Sequence, residues 1–159
     1  MLTKDDIEAL SAGAGRSPDA LFAAIAQVAA QRVGAGLVTV MRHHAAEQEV
    51  ERLYSSNTQA YPVGGRKQKR DTEWGRKVLT QHQVLVNAGD EDLRASFDDH
   101  ALITGLGLHS CVNVPLVSQG RCVGTLNISR ARPDWSDHEV ALTRALGLAA
   151  LAGVLMMNG

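Results

Sequence analysis

The chain is short of aromatic rings, with two Trp, two Tyr and two Phe in 159 residues, and short of cysteine and proline, with two and four. Each shortage excludes something. Two cysteines make no disulfide framework, and reduced thiols fit a cytoplasmic protein. So few rings leave no stacking platform for single-stranded nucleic acid. A net charge of -1 supplies no basic field for a polyanion, so no nucleic-acid partner is expected. No secretory leader is expected either, because Met1 and Leu2 run straight into Thr3-Lys4-Asp5-Asp6. Catalytic signatures are missing as well: there is no G-x-S-x-G, Walker or dinucleotide fingerprint. His43 and His44 are adjacent and point to opposite faces of a strand, and Asp98-Asp99-His100 lacks a partner at ligand spacing. No metal and no cofactor are expected.

What is present centres on His109 to Ser129, two runs dense in Val, Leu, Ile and Thr around Ser118-Gln119-Gly120. This predicts a hairpin at the middle of a sheet. With Val117 facing Arg121, Leu116 faces Cys122, Val114 faces Gly124 and Val112 faces Leu126. Alternation then puts Ser110, Val112, Val114, Leu116, Cys122, Gly124, Leu126 and Ile128 on one nearly apolar face, suited to helices. The other face carries Cys111, Asn113, Pro115, Val117, Val123, Thr125, Asn127 and Ser129. Asn113, Thr125 and Asn127 there suit either a pocket floor or open water. A bulge at Pro115, which cannot donate to a ladder, would exchange the faces locally. The same register separates Cys111 and Cys122 by roughly 16 Å, at ~3.3 Å per residue, too far for a disulfide.

The flanking chain reads as one further strand pair and a set of helices. Residues 1–16 read as a first helix, capped at Thr3, and a flexible break at Ser11–Gly15; residues 17–157 read as a single domain. Ser17-Pro18 opens a helix with Leu21, Phe22, Ile25 and Val28 on one stripe. Leu37–Met41 and Glu49–Tyr54 predict a second hairpin. Ser55 to Arg70 has no periodicity, as in a lid or binding loop. Its basic run, Arg66 to Arg70, precedes a helix capped by Asp71 or Thr72, which suits an anion or a plain solvated charge run. Tyr61, Arg66, Trp74 and Arg76 are therefore candidate ligand contacts. Val84–Val86 reads as a short strand, 87–92 as polar loop and Leu102–Gly107 as a short helix. Ser136-x-x-Glu139 is a capping box for a last helix. That helix is apolar nearly all round, which calls for a homodimer through the terminal helices. Only 13 residues run from Ala145 to Met157, against the ~20 of a membrane span, so no membrane is expected.

Leu106-Gly-Leu-His-Ser110, Val114-Pro115-Leu116, Gly120, Gly124-Thr125-Leu126-Asn127 and Trp135-Ser-Asp-His-Glu139 together resemble a GAF domain, over about Pro18 to Val154. The segments Tyr61–Arg66 and Asp71–Arg76 resemble stand-alone bacterial GAF proteins. The resemblance implies an α+β fold: a central antiparallel sheet with terminal helices on one face and pocket-forming loops and short helices on the other. It implies a non-catalytic sensor binding an unidentified small molecule, with Asn113, Thr125 and Asn127 among its ligand contacts. Neither cysteine has the setting of a bilin attachment site, and the cyclic-nucleotide signature is not matched after Asn127. A thiol-dependent reductase resembling free methionine sulfoxide reductases is the enzymatic alternative, though no cysteine precedes Cys111. A purely structural dimerisation domain is the third.

Overall fold

The computed structural model describes residues 1–69 and 72–158. Six strands form one antiparallel sheet: β1 (Ala35–His44), β2 (Glu49–Ser55), β3 (Arg66–Gln68), β4 (Leu85–Ala88), β5 (Ser110–Ser118) and β6 (Arg121–Arg130). Their order across the sheet is β3-β2-β1-β6-β5-β4. The longest strands, β1, β5 and β6, lie in the interior, as their Val, Leu and Ile content requires. Both expected hairpins are present, β1–β2 and β5–β6.

The central hairpin differs from its expected register in an instructive way. Gln119 and Gly120 both adopt positive φ (52° and 77°), forming a two-residue turn between paired Ser118 and Arg121. The pairing then shifts between Leu116 and Val117, with Val123 as the extra residue of a bulge, so that Leu116 faces Gly124 and Val112 faces Ile128. The body of the hairpin is displaced by two residues from the expected pairing. An even displacement preserves the faces. Val112, Val114, Leu116, Leu126 and Ile128 join the helix-side core, and Cys111, Asn113, Asn127 and Ser129 line a cavity on the other side. Only the bulge exchanges faces: Cys122 packs with Val50, Trp74 and Val78, whereas Val123 packs against the helix-side core. The bulge lies opposite Leu116 and Val117, not at Pro115, which pairs in register with Thr125.

Two helices, α2 (Pro18–Val33) and α5 (Asp137–Asn158), cover the apolar face, and α1 (Lys4–Ala14) packs on α2. Phe22, Ile25 and Val28 of α2 and Leu142, Leu146, Ala150 and Val154 of α5 meet Val38, Val40, Leu126 and Ile128 of the sheet. Ser17 caps α2 by accepting from the Ala20 amide at 3.0 Å. Thr3 and Asp6 form a reciprocal capping box on α1. Asp6 also accepts from Arg32 Nε at 2.8 Å, tying α1 to the end of α2. The expected break at Ser11–Gly15 is mostly helix, because α1 continues to Ala14 while docked on α2.

At the start of α5, Ser136 and Glu139 form the expected capping box, with amide bonds of 3.2 and 3.0 Å. Glu139 is also bound by Arg130, a fully buried arginine at the end of β6. Arg130 donates to the carbonyls of Val33 and Asp134 and lies 3.8 Å over the Trp135 ring. One side chain thus joins the end of α2, the turn after β6 and the start of α5. By length and composition α5 could cross a membrane, contrary to the shorter count from Ala145, yet one stripe of it is spent on the core.

Candidate functional site

The other face of the sheet is roofed by Tyr61, by the segment around Trp74, and by two short helices, α3 (Asp90–Ser96) and α4 (His100–Gly105). α3 falls where a polar loop was expected. Thr72 supplies the expected cap, its hydroxyl accepting from the Gly75 amide at 2.9 Å and donating to the Lys69 carbonyl at 3.1 Å. Glycine is required at 75, since a Cβ there would stand 2.5 Å from the Lys69 carbonyl oxygen. Gly75–Thr80 is a π-helical turn, a local irregularity common at functional sites. Arg70 and Asp71, parts of the expected basic run and cap, lie outside the described residues.

Between roof and sheet lies a cavity of about 100 Å³. Its floor is polar. Asn113 Nδ2 donates to Asn127 Oδ1 at 2.7 Å, and Asn127 Nδ2 donates to the hydroxyls of Thr39 and Thr125, both at 3.1 Å. This uses both donors and the oxygen of Asn127, whereas Asn113 Oδ1 is buried without a partner among the described residues. Asn113 and Asn127 line the cavity; Thr125 is buried beside Asn127 and is not part of the wall.

Tyr61 and Trp74 also line the cavity, and both are buried. The Tyr61 hydroxyl donates to Asp99 Oδ2 at 2.8 Å, and burial followed by this bond pushes the phenol well above its ordinary pKa. Trp74 Nε1 is buried without an acceptor among the described residues. Over the Trp74 ring, at 5.0 Å, stands the ammonium of Lys69; over the Tyr61 ring, also at 5.0 Å, stands the guanidinium of Arg52. Burial lowers the pKa of both cations. Arg52 donates to the Pro62 carbonyl at 3.0 Å, while its Nε is buried and unpaired.

Two expected contacts lie elsewhere. Arg66 is on β3, exposed, 3.5 Å from Glu49 and 3.7 Å from Glu51, and those carboxylates hold it outside the cavity. Arg76 lines a second cavity, of about 320 Å³, with His43 and Thr80; Lys69 belongs to the walls of both. Conversely, Arg52, Lys69 and Asp99 were missed as cavity residues. Arg52 was detectable in principle, since it alternates with Val50 on the same face of β2.

Both thiols are buried. Cys111 is in the cavity wall, and burial pushes its thiol up to about 11. Burial also raises the Cys122 thiol. Among the described residues, no cluster of three or more His, Cys, Asp or Glu is placed to hold a metal ion.

The structure is thus a helix-backed antiparallel sheet with a roofed cavity on its opposite face. The GAF domain family matches residues 17–154, and the chain belongs to that family. GAF domains are generally regulatory modules rather than enzymes. No curated protein matches the sequence. Among solved structures, the GAF domain of a phosphoenolpyruvate-protein phosphotransferase from Coxiella burnetii superposes with a TM-score of 0.77 at 14% identity, over 97% of this chain and 93% of that one. The GAF domain of a two-component sensor histidine kinase from Bacillus halodurans gives 0.66 at 18%, over 100% and 99%. A GAF domain/HD domain protein from Geobacter sulfurreducens gives 0.72 at 18%, over 94% and 97%. At such identities the likeness is one of fold.

Proposed function

We propose that the chain is a non-catalytic cytoplasmic sensor that holds a small molecule between the sheet and the Tyr61–Trp74 roof. One observation carries this reading: three residues lining a single cavity each hold a buried polar atom without a partner among the described residues, namely Trp74 Nε1, Asn113 Oδ1 and Arg52 Nε. Leaving such a group unpaired costs about 1–3 kcal/mol, so a site that gathers three suits a guest that pairs them. Tyr61, Trp74, Asn113 and Asn127 contact the guest, and Thr125 orients Asn127. Arg66 and Arg76 do not. Turnover through Cys111 is disfavoured, because a thiol held near 11 supplies almost no thiolate at neutral pH.

The signal passes to a second copy through α5, which exposes Leu148, Leu155, Met156 and Met157. Binding biases a dimer between two arrangements of unequal affinity for the guest. A thermal-shift screen of small metabolites tests the reading. A ligand at 100 times its Kd adds about 2.7 kcal/mol, or roughly 5–11 °C for a domain of this size. Trp74→Ala removes that shift and Arg66→Ala leaves it. No stabiliser across a broad library would refute the sensor and favour a structural domain.

A further inference from the structure

The charges and the volume of the cavity restrict its guest further. Among the described residues, Arg52, Lys67 and Lys69 contribute three cations to the wall against one carboxylate, Asp99, which accepts from the Tyr61 hydroxyl and offsets part of the charge of Arg52 and Lys69. Among the described residues, neither Arg52 nor Lys69 forms an ion pair. Each instead stands over an aromatic ring, a modest substitute for a counter-ion. Removing a cation from water without a compensating anion is unfavourable, and a guest carrying negative charge supplies that compensation.

Volume sets the size. A cavity of about 100 Å³ suits a compact guest. The polarity of the two ends sets the orientation. The roof residues Lys69 and Trp74 carry donors, an ammonium and a buried N–H; the floor residue Asn113 carries a buried acceptor, Oδ1. Between them the walls are apolar, with Leu37, Phe97 and Ile103.

On the sensor reading given above, we infer that the guest is a compact organic carboxylate with an apolar body and a hydrogen-bond donor at its far end. The carboxylate meets Lys69 and the Trp74 N–H, two donors for two oxygens, and Arg52 Nε faces the same charge. The donor meets Asn113 Oδ1.

Saturation-transfer NMR on the full chain tests this with small carboxylates and their matched primary amides at millimolar concentration, including the pair 4-hydroxybenzoate and 4-hydroxybenzamide. Carboxylates should bind and compete with one another, while the amides should bind at least tenfold more weakly. Benzoate, lacking the donor, should bind several-fold more weakly than 4-hydroxybenzoate. Lys69→Met should abolish the preference for carboxylates, and Lys69→Arg should retain part of it. A thermal melt of each variant confirms folding. Amides that bind as well as carboxylates, or a preference that survives Lys69→Met, would overturn the carboxylate assignment and leave the sensor intact. Failure of both series, together with an empty metabolite screen, would overturn both.

Discussion

Glu139→Gln separates the electrostatic from the packing contribution of the junction around Arg130. Two oxygens of Glu139 accept from Arg130, at 2.6 and 3.0 Å, and a further bond from the Ser136 amide holds the carboxylate in place. The Arg130 guanidinium, helped by that amide, pulls the Glu139 carboxyl from its ordinary 4.5 to about 2. At 1.36 kcal/mol per pH unit this corresponds to about 3 kcal/mol of folding stability, and solvent at a carboxylate one-fifth exposed trims it to about 2–3 kcal/mol. A carboxyl whose pKa falls on folding stabilises fully above its unfolded value, and the contribution disappears as pH drops through the folded value. Urea melts of wild type and Glu139→Gln at pH 7 should therefore differ by about 2–3 kcal/mol, equivalent to roughly 4–12 °C in Tm. The difference should shrink steadily below pH 4.5 and be mostly gone near pH 2. A gap as wide at pH 2.5 as at pH 7 would show that the loss comes from packing. A gap below about 0.5 kcal/mol at pH 7 would show that the pair is worth no more than an exposed one.

Gly124→Ala places a Cβ 2.2 Å from the Met41 carbonyl oxygen, where β6 passes β1. Two paired backbones have little room to part, so a stability loss of about 1–3 kcal/mol or more is expected from urea midpoints; an unchanged midpoint would refute the close approach. Leu148→Glu puts a charge on a side chain that is 71% exposed. Sedimentation should find a dimer for wild type and a monomer for the variant, with little change in the fold by circular dichroism. A monomeric wild type would refute the α5 interface.

Regular elements were legible where local chemistry decides them. The Ser136-x-x-Glu139 box, the Ser17-Pro18 start and the β-branched central hairpin each act within a few residues. The bulge was not legible, because Cys122 and Val123 are both small apolar residues that tolerate either face, and turn geometry made the choice. α3 has seven residues and buries only Leu93, so no periodicity marks it. The aromatic and amide parts of the cavity were accessible because Tyr61, Trp74, Asn113 and Asn127 are unusual among their neighbours. Of its cations, Lys67 and Lys69 were visible only as parts of the basic run, and their meeting with Arg52 depends on β2 and the following segment folding across the sheet face. The conspicuous Arg66 is taken by Glu49 and Glu51, a pairing set by strand register.

The ends of the sheet carry a consequence for solubility. An unpaired edge strand is a template for intermolecular pairing and, at worst, for fibre growth. Here the outer strand on one side is β3, three residues long, with two of them cationic. On the other side β4 has only four residues, and Asp92 of α3 accepts from the outermost amide, Ala88, at 3.0 Å. Neither end offers a flat run of free amides, so a second copy gains little by adding its strands to this sheet. Self-association is left to helical surfaces, and aggregation by edge-to-edge stacking is discouraged by the same two short strands.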